Sequence, residues 1–317
     1  MSGKLDCHGM TDVGRRRETN EDQFLIADLN KSLRVHQTSL ALDHQTRLFG
    51  NSQGNLLLVA DGMGGHDAGE RASTLAVDGV VAYTLNTLRW FFRLDGQSDD
   101  DFEEDLRAAM EHCQQLLNQE SKALPQRRGM GTTLTLAYVI WPRMYVVHVG
   151  DSRCYVFRGG QLTQLTRDHT MAELYRESLE TSPDAEGDSE RRMTHILWNV
   201  VGGTRDDLSP EVHRFALELD DTVLLCSDGL TRHVSDDAIA AQLRANGSAE
   251  QLCRQLVDEA NRQGGEDNIT AVVARFLETD NNLFERAASV EEPLHEPPAD
   301  PTSDTVPDPV RVNTNAQ

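Results

Sequence analysis

No run of apolar residues in this sequence is long enough to cross a bilayer, so no spanning helix is expected. The opening residues, Met1-Ser2-Gly3-Lys4-Leu5-Asp6, lack the apolar stretch of a secretory signal. Cysteine is sparse: Cys7, Cys113, Cys154, Cys226 and Cys253 are widely spaced, odd in number and include no C-x-x-C pair. That pattern argues against a disulfide framework or a zinc site and fits a reducing compartment, so a cytoplasmic protein is expected. Positive charge is also short, with 30 Lys and Arg against 52 Asp and Glu, a formal net charge of −22. Such a chain repels phosphate backbones and anionic lipid, which argues against nucleic-acid and membrane-surface binding. A nucleophile motif is missing as well. The nearest candidates, exposed-looking Ser152 and Ser227, do not stand in G-x-S-x-G.

What is present suits a soluble globular domain. Of 317 residues, 38% are hydrophobic and 26% charged, enough to bury a sizeable core in one large domain or two small ones. Composition changes near residue 278. Residues 278–317 hold six of the ten prolines and nine acids against two arginines, which reads as a disordered acidic tail after a domain of residues 1–277. Before it, 55–60 (NLLLVA) and 222–226 (TVLLC) are short apolar runs that stop at an aspartate. Residues 132–140 and 144–149 are β-branched and aromatic and flank a Trp141-Pro142-Arg143 turn, while 152–157 and 161–165 flank Arg158-Gly159-Gly160 as a second hairpin. Residues 268–276 read as a last strand, and Cys226, ending an apolar run, as a buried structural thiol. Helical periodicity covers about 68–92, 101–124, 235–245 and 248–262, the last opening on Ser248-x-x-Gln251, a capping box. This order suits packed sheets with helix pairs outside them, not a regular βαβ alternation.

Acidic residues recur where strands end. Asp61-Gly62-Met63-Gly64-Gly65-His66 follows the first apolar run, Gly150-Asp151-Ser152 another, and Ser227-Asp228-Gly229 a third. Glu266-Asp267-Asn268 precedes the final strand, and Arg17-x-x-Asn20-Glu21-Asp22 precedes residues 23–27. Any one of these could be a turn aspartate. Five acidic strand ends in one domain point instead to oxygen ligands for hard divalent cations. Two such ions about 4 Å apart can orient and ionise a water for attack at phosphorus, a chemistry that needs no Ser or Cys nucleophile.

These segments, with Gly129-Met130-Gly131-Thr132-Thr133, Val149-Gly150-Asp151-Ser152-Arg153 and Ser227-Asp228-Gly229-Leu230-Thr231, closely resemble in order the bacterial protein phosphatase 2C (metal-dependent PPM) family over about residues 7–277. The resemblance implies an α+β fold, a four-layer α-β-β-α sandwich of two antiparallel sheets flanked by helix pairs. It implies a centre of two Mn²⁺ or Mg²⁺ ions, with Asp61 bridging them. Asp228 and Asp267 would bind the first ion, and Glu21 or Asp22 with the Gly62 carbonyl would serve the second. Arg17 would hold the substrate phosphate, since its planar donors match phosphate oxygens and keep their charge. The implied reaction is hydrolysis of phosphoserine or phosphothreonine by direct attack of a metal-bridging water or hydroxide, with no phosphoenzyme. Phosphorylated proteins would be the substrates, in signalling with a Ser/Thr kinase, and a monomer is expected. A catalytically weak, phosphoprotein-binding pseudophosphatase is the alternative.

The sequence departs from the family in two places. Met63 stands where some animal members carry a His proposed as general acid, which leaves His66 as a nearby candidate or a loop-packing residue. Asp151 resembles a ligand of a third, weaker metal, but Arg232 stands where many relatives have an acid, and a cation there should weaken that site. Residues 168–203 occupy the place of the family's flap and read as a mobile segment gating the substrate.

Overall fold

The computed structural model describes residues 4–35, 47–64, 67–88, 99–179, 193–204, 207–245 and 247–277. All lie in one compact unit that ends at Thr279. The expected tail from residue 278, His66 and the centre of the expected flap lie outside the described residues.

The chain begins with three strands: β1 (Lys4–Asp12), β2 (Asp22–Arg34) and β3 (Arg47–Met63). Two helices follow, α1 (Asp67–Asn86) and α2 (Asp99–Ala123). Five strands come next: β4 (Gly131–Thr132), β5 (Leu134–Ile140), β6 (Arg143–Val149), β7 (Arg153–Arg158) and β8 (Gln161–Gln164). After α3 (Met171–Leu179) come β9 (Val201–Gly202), β10 (Glu211–Ala216) and β11 (Thr222–Cys226). The chain then forms α4 (Asp228–Thr231), α5 (Asp236–Leu243), α6 (Ala249–Gln263) and β12 (Ile269–Leu277).

Two antiparallel sheets result. One has the order β1-β12-β11-β7-β8; the other runs β10-β6-β5-β3-β4-β9, with β2 paired to β3. The apolar runs explain the layering. Along β3, Leu56, Leu58 and Ala60 pack with α1 and α2, while Leu57 and Val59 face the other sheet. In β11, Leu224 and Cys226 pack with α5 and α6, while Val223 and Leu225 face inward between the sheets. Strands covered on both faces need apolar residues at every position, which is why NLLLVA and TVLLC do not alternate. Each fully buried Leu or Val there contributes roughly 1.5–3 kcal/mol. The outcome is a four-layer α-β-β-α sandwich.

Most expected elements appear where the pattern places them. The β7–β8 hairpin turns on Gly159 and Gly160, both at positive φ, and the Ser248/Gln251 capping box opens α6. The helix expected over 68–92 ends at Asn86. The strand expected over 55–60 is the inner part of β3, which continues past Asp61 because Gly62 and Met63 pair with β4. The Asp228-Gly229 segment, expected as a turn, is a helical turn, α4. β1, β10 and α3 lie outside the elements expected from the sequence; β10, at a sheet edge, has only half-buried and exposed positions and so carries a weak apolar signal.

Candidate active site

The acidic strand ends meet at one end of the sandwich. Register brings them there: Asp22 lies opposite Asp61 in the β2–β3 pair, and Cys226, just before Ser227 and Asp228, lies opposite Arg153, just after Asp151 and Ser152. Hydrogen bonds then tie the two sheets together. Ser227 Oγ and Thr270 Oγ1 both donate to Asp22 Oδ2, at 2.7 and 2.6 Å, and Thr133 Oγ1 lies 2.7 Å from Ser152 Oγ. Ser152 and Ser227, which look exposed in the sequence, are fully buried and serve as these struts.

Asp61 is held by its backbone. Its N–H donates to Thr133 Oγ1 at 2.9 Å, and its carbonyl accepts from Thr133 N and Thr132 Oγ1. Beside it, Gly62 N–H donates to the Glu21 carbonyl, and a Cβ on Gly62 would sit 2.1 Å from the Gly69 carbonyl oxygen. Only glycine permits that approach of β3 to the start of α1. The segment carrying Arg17 and Glu21 is pinned by Asn268: its Nδ2 donates to the Val13 and Thr19 carbonyls, and its Oδ1 accepts from Glu21 N–H.

A cleft of about 950 Å³ opens over these groups, lined by Arg17, Glu21, Asp61, Gly62, Asp151, Asp228, Arg232 and Asp267 among others. Asp22 lies beneath it, almost fully buried. Arg17 grips Asp267 with two donors, Nη2 to Oδ2 and Nε to Oδ1, both at 2.9 Å. Arg232 also pairs with Asp267, at 3.0 Å, and with Asp228. Burial pushes the Asp22 carboxyl up to about 7, against the lowering effect of its two hydroxyl donors. Burial also raises Asp61 and Asp151 well above the ordinary carboxylate range, with neighbouring acids adding to the effect. Asp228 is raised by burial and opposed first by Arg232. Buried Oδ1 atoms of Asp22 and Asp228 have no hydrogen-bond partner among the described residues.

This donor set is all oxygen, crowded, anionic and under-satisfied, which fits a hard divalent cation. Among the described residues, however, no three His, Cys, Asp or Glu side chains already stand in ligating geometry. Arg17 and Arg232 hold the oxygens of Asp267, and Arg232 one of those of Asp228.

Sequence reasoning missed the support beneath Asp151. His169 is buried, and its Nδ1 accepts from Gly150 N–H at 3.1 Å and Asn199 Nδ2 at 2.9 Å. The ring proton therefore sits on Nε2, 3.2 Å from Glu211 Oε1. His169 N–H donates to the Gly150 carbonyl, and its own carbonyl accepts from Trp198 N–H. It thus joins the Asp151 turn to the segment where His195, Ile196 and Trp198 line the cleft. Asp-His-Thr at 168–170 is a weak signal, since a lone His in a polar stretch has no periodicity to mark it.

The protein phosphatase 2C family matches residues 37–278. The serine/threonine protein phosphatase PstP of Mycobacterium tuberculosis H37Rv is 35% identical over 225 residues, 71% of this chain but only 41% of PstP. Protein phosphatase PhpP of Streptococcus pneumoniae is 30% identical over 275 residues, 86% of this chain and 97% of PhpP. A solved catalytic domain of PstP, in complex with two manganese ions, is 30% identical with a TM-score of 0.64, covering 86% of this chain and 99% of that one. With the family matched over most of its length and the fold shared with solved members, the chain belongs to the protein phosphatase 2C family.

Proposed function

We propose that this chain is a metal-dependent serine/threonine protein phosphatase acting on phosphorylated proteins, and that residues 1–277 form its catalytic domain. The observation that carries the reading is the convergence of Asp22, Asp61, Asp151, Asp228 and Asp267 from both sheets on one cleft end, with Arg17 at its mouth. Asp61, Asp228 and Asp267 would hold one Mn²⁺ or Mg²⁺ ion; Asp61, the Gly62 carbonyl and Glu21 or Asp22 would hold another. When bound, the ions supply Lewis-acid polarisation of the phosphate and an acidified water.

The chain's own groups do the positioning. Thr132 and Thr133 fix the Asp61 backbone, and Ser227 and Thr270 fix the Asp22 carboxylate. Arg17, half exposed, would exchange Asp267 for two phosphate oxygens, a fork-to-oxyanion geometry it already shows toward the carboxylate. Direct displacement suits a cleft lined by acids that can hold divalent ions, with Ser152 and Ser227 buried as struts. Those acids also speak against a pseudophosphatase. Free cysteines, four of them buried, suit a reducing compartment and hence the cytoplasm. A Ser/Thr kinase that phosphorylates the same proteins would be the natural signalling partner.

Hydrolysis of a phosphothreonine peptide with Mn²⁺, with Mg²⁺ and with EDTA tests the reading. Activity should require metal, vanish in EDTA and fall by roughly a hundredfold or more in Asp61→Asn, the scale of losing one charge-stabilising group at a reacting centre. A folded protein inactive under every metal would sink it.

A further inference from the structure

Arg232 sits one helical turn after Asp228, at the C-cap of α4, where residues four apart lie one above the other. Its Nη2 pairs with Asp228 Oδ2 and its Nη1 with Asp267 Oδ2 at 3.0 Å. The guanidinium is two-thirds buried, at 32% side-chain exposure, and the two carboxylates it joins are 10% and 16% exposed. It is thus no solvated surface charge; it bridges acids from two different strand ends. Without it, Asp228 would lie among Asp61, Asp151 and Asp267 with only the field of His195 to offset them, since Arg17 hydrogen-bonds to Asp267. Such a crowd of buried like charges is costly unless paired.

We propose that Arg232 is a resident cation that contends with the divalent ion for Asp228 and Asp267, so that loading the centre requires the guanidinium to leave both carboxylates. The inference rests on the reading that this cleft takes divalent ions. Two consequences follow from charge and geometry. In the metal-free protein Arg232 stabilises the acid cluster. In the presence of metal it weakens apparent affinity, because the ion must displace a bidentate partner before it gains its ligands. Lysine would not substitute fully, since an ammonium is a point charge and cannot span both carboxylates with a rigid fork. Loading is thereby made more demanding of metal concentration than the aspartates alone would make it.

The test uses the full chain, stripped with EDTA and dialysed, with Mn²⁺ titrated by calorimetry and free Mn²⁺ followed by electron paramagnetic resonance. Arg232→Ala should bind Mn²⁺ about tenfold more tightly or better, the scale on which groups behind metal ligands act, and Arg232→Lys should fall between. The metal-free Arg232→Ala protein should also melt at lower temperature than wild type, with the gap closing on Mn²⁺ addition. Equal or weaker Mn²⁺ affinity in Arg232→Ala overturns the proposal. Should Arg232→Ala fail to fold without metal, the Arg232→Lys affinity decides. The readout needs no substrate, so tighter Mn²⁺ binding without peptide hydrolysis would sink the phosphatase reading and leave this one standing. No Mn²⁺ binding by any variant would sink both.

Discussion

At the scale of single residues, the centre is a set of charges held against their own preference. Asp22 is the sharpest case, with a carboxyl pushed up to about 7 by burial while two hydroxyls donate to one of its oxygens. An unfolded Asp titrates near 3.8, so between these values the folded state holds a proton that the unfolded state has released. Stability from this group is therefore full below about pH 4 and is lost as pH rises through about 7. The metal-free protein should accordingly melt at higher temperature at pH 5.5 than at pH 7.5. Asp22→Asn should show a smaller difference between the two, measured by thermal unfolding in EDTA. An unchanged pH difference in that variant would remove Asp22 from the account.

Elements of secondary structure set where those charges stand. The turn between β6 and β7 carries Asp151, and the N–H and carbonyl of Gly150 that opens it are both tied to His169, which also holds Trp198 and Asn199. Glu211, on edge strand β10, completes the arrangement, and the His169 ring beside it holds its carboxyl well below the usual range. His169→Ala leaves the Gly150 N–H and one hydrogen of the Asn199 amide, whose other donates to the Ser209 carbonyl, without an acceptor in a buried place. The cost should be about 1–3 kcal/mol in urea unfolding, the penalty for an unsatisfied buried donor. Because the same contact orients the cleft wall, KM for a phosphopeptide should rise more than kcat falls. His169→Gln, which keeps an acceptor, should recover part of both. A purely structural role would lower stability and leave KM alone.

At the scale of the whole molecule, charge dominates. The chain carries a net charge of −22, while its cleft is lined by Arg16, Arg17 and Arg232 as well as by acids. Long-range attraction should favour phosphopeptides with Lys or Arg flanking the phosphorylated residue, and salt should screen it within about 8–10 Å at physiological strength. Raising NaCl from 50 to 500 mM should therefore lower kcat/KM for a basic-flanked peptide several-fold more than for an acidic-flanked one, an order-of-magnitude expectation from charge steering. Equal salt dependence for both peptides would show that recognition is confined to the phosphate.

The sequence by itself pointed to packed sheets with helix pairs outside them, because apolar strand runs and helical periods are local signals; the four-layer sandwich followed from the resemblance of its motifs to the protein phosphatase 2C family. It also marked the acids, since Asp61, Asp151, Asp228 and Asp267 each stand where an apolar run stops or begins. Ser152 and Ser227 were not legible as buried struts, because burial of a hydroxyl depends on partners contributed by Thr133 and Asp22, 19 and 205 residues away. His169 was illegible for the same reason, its partners lying in three separate segments. Only the tertiary structure decided that Arg232, placed near the Asp151 site by the resemblance, pairs with Asp228 and Asp267. Its charge could be read from one letter; its place depended on α4 forming a helical turn and on β12 bringing Asp267 alongside.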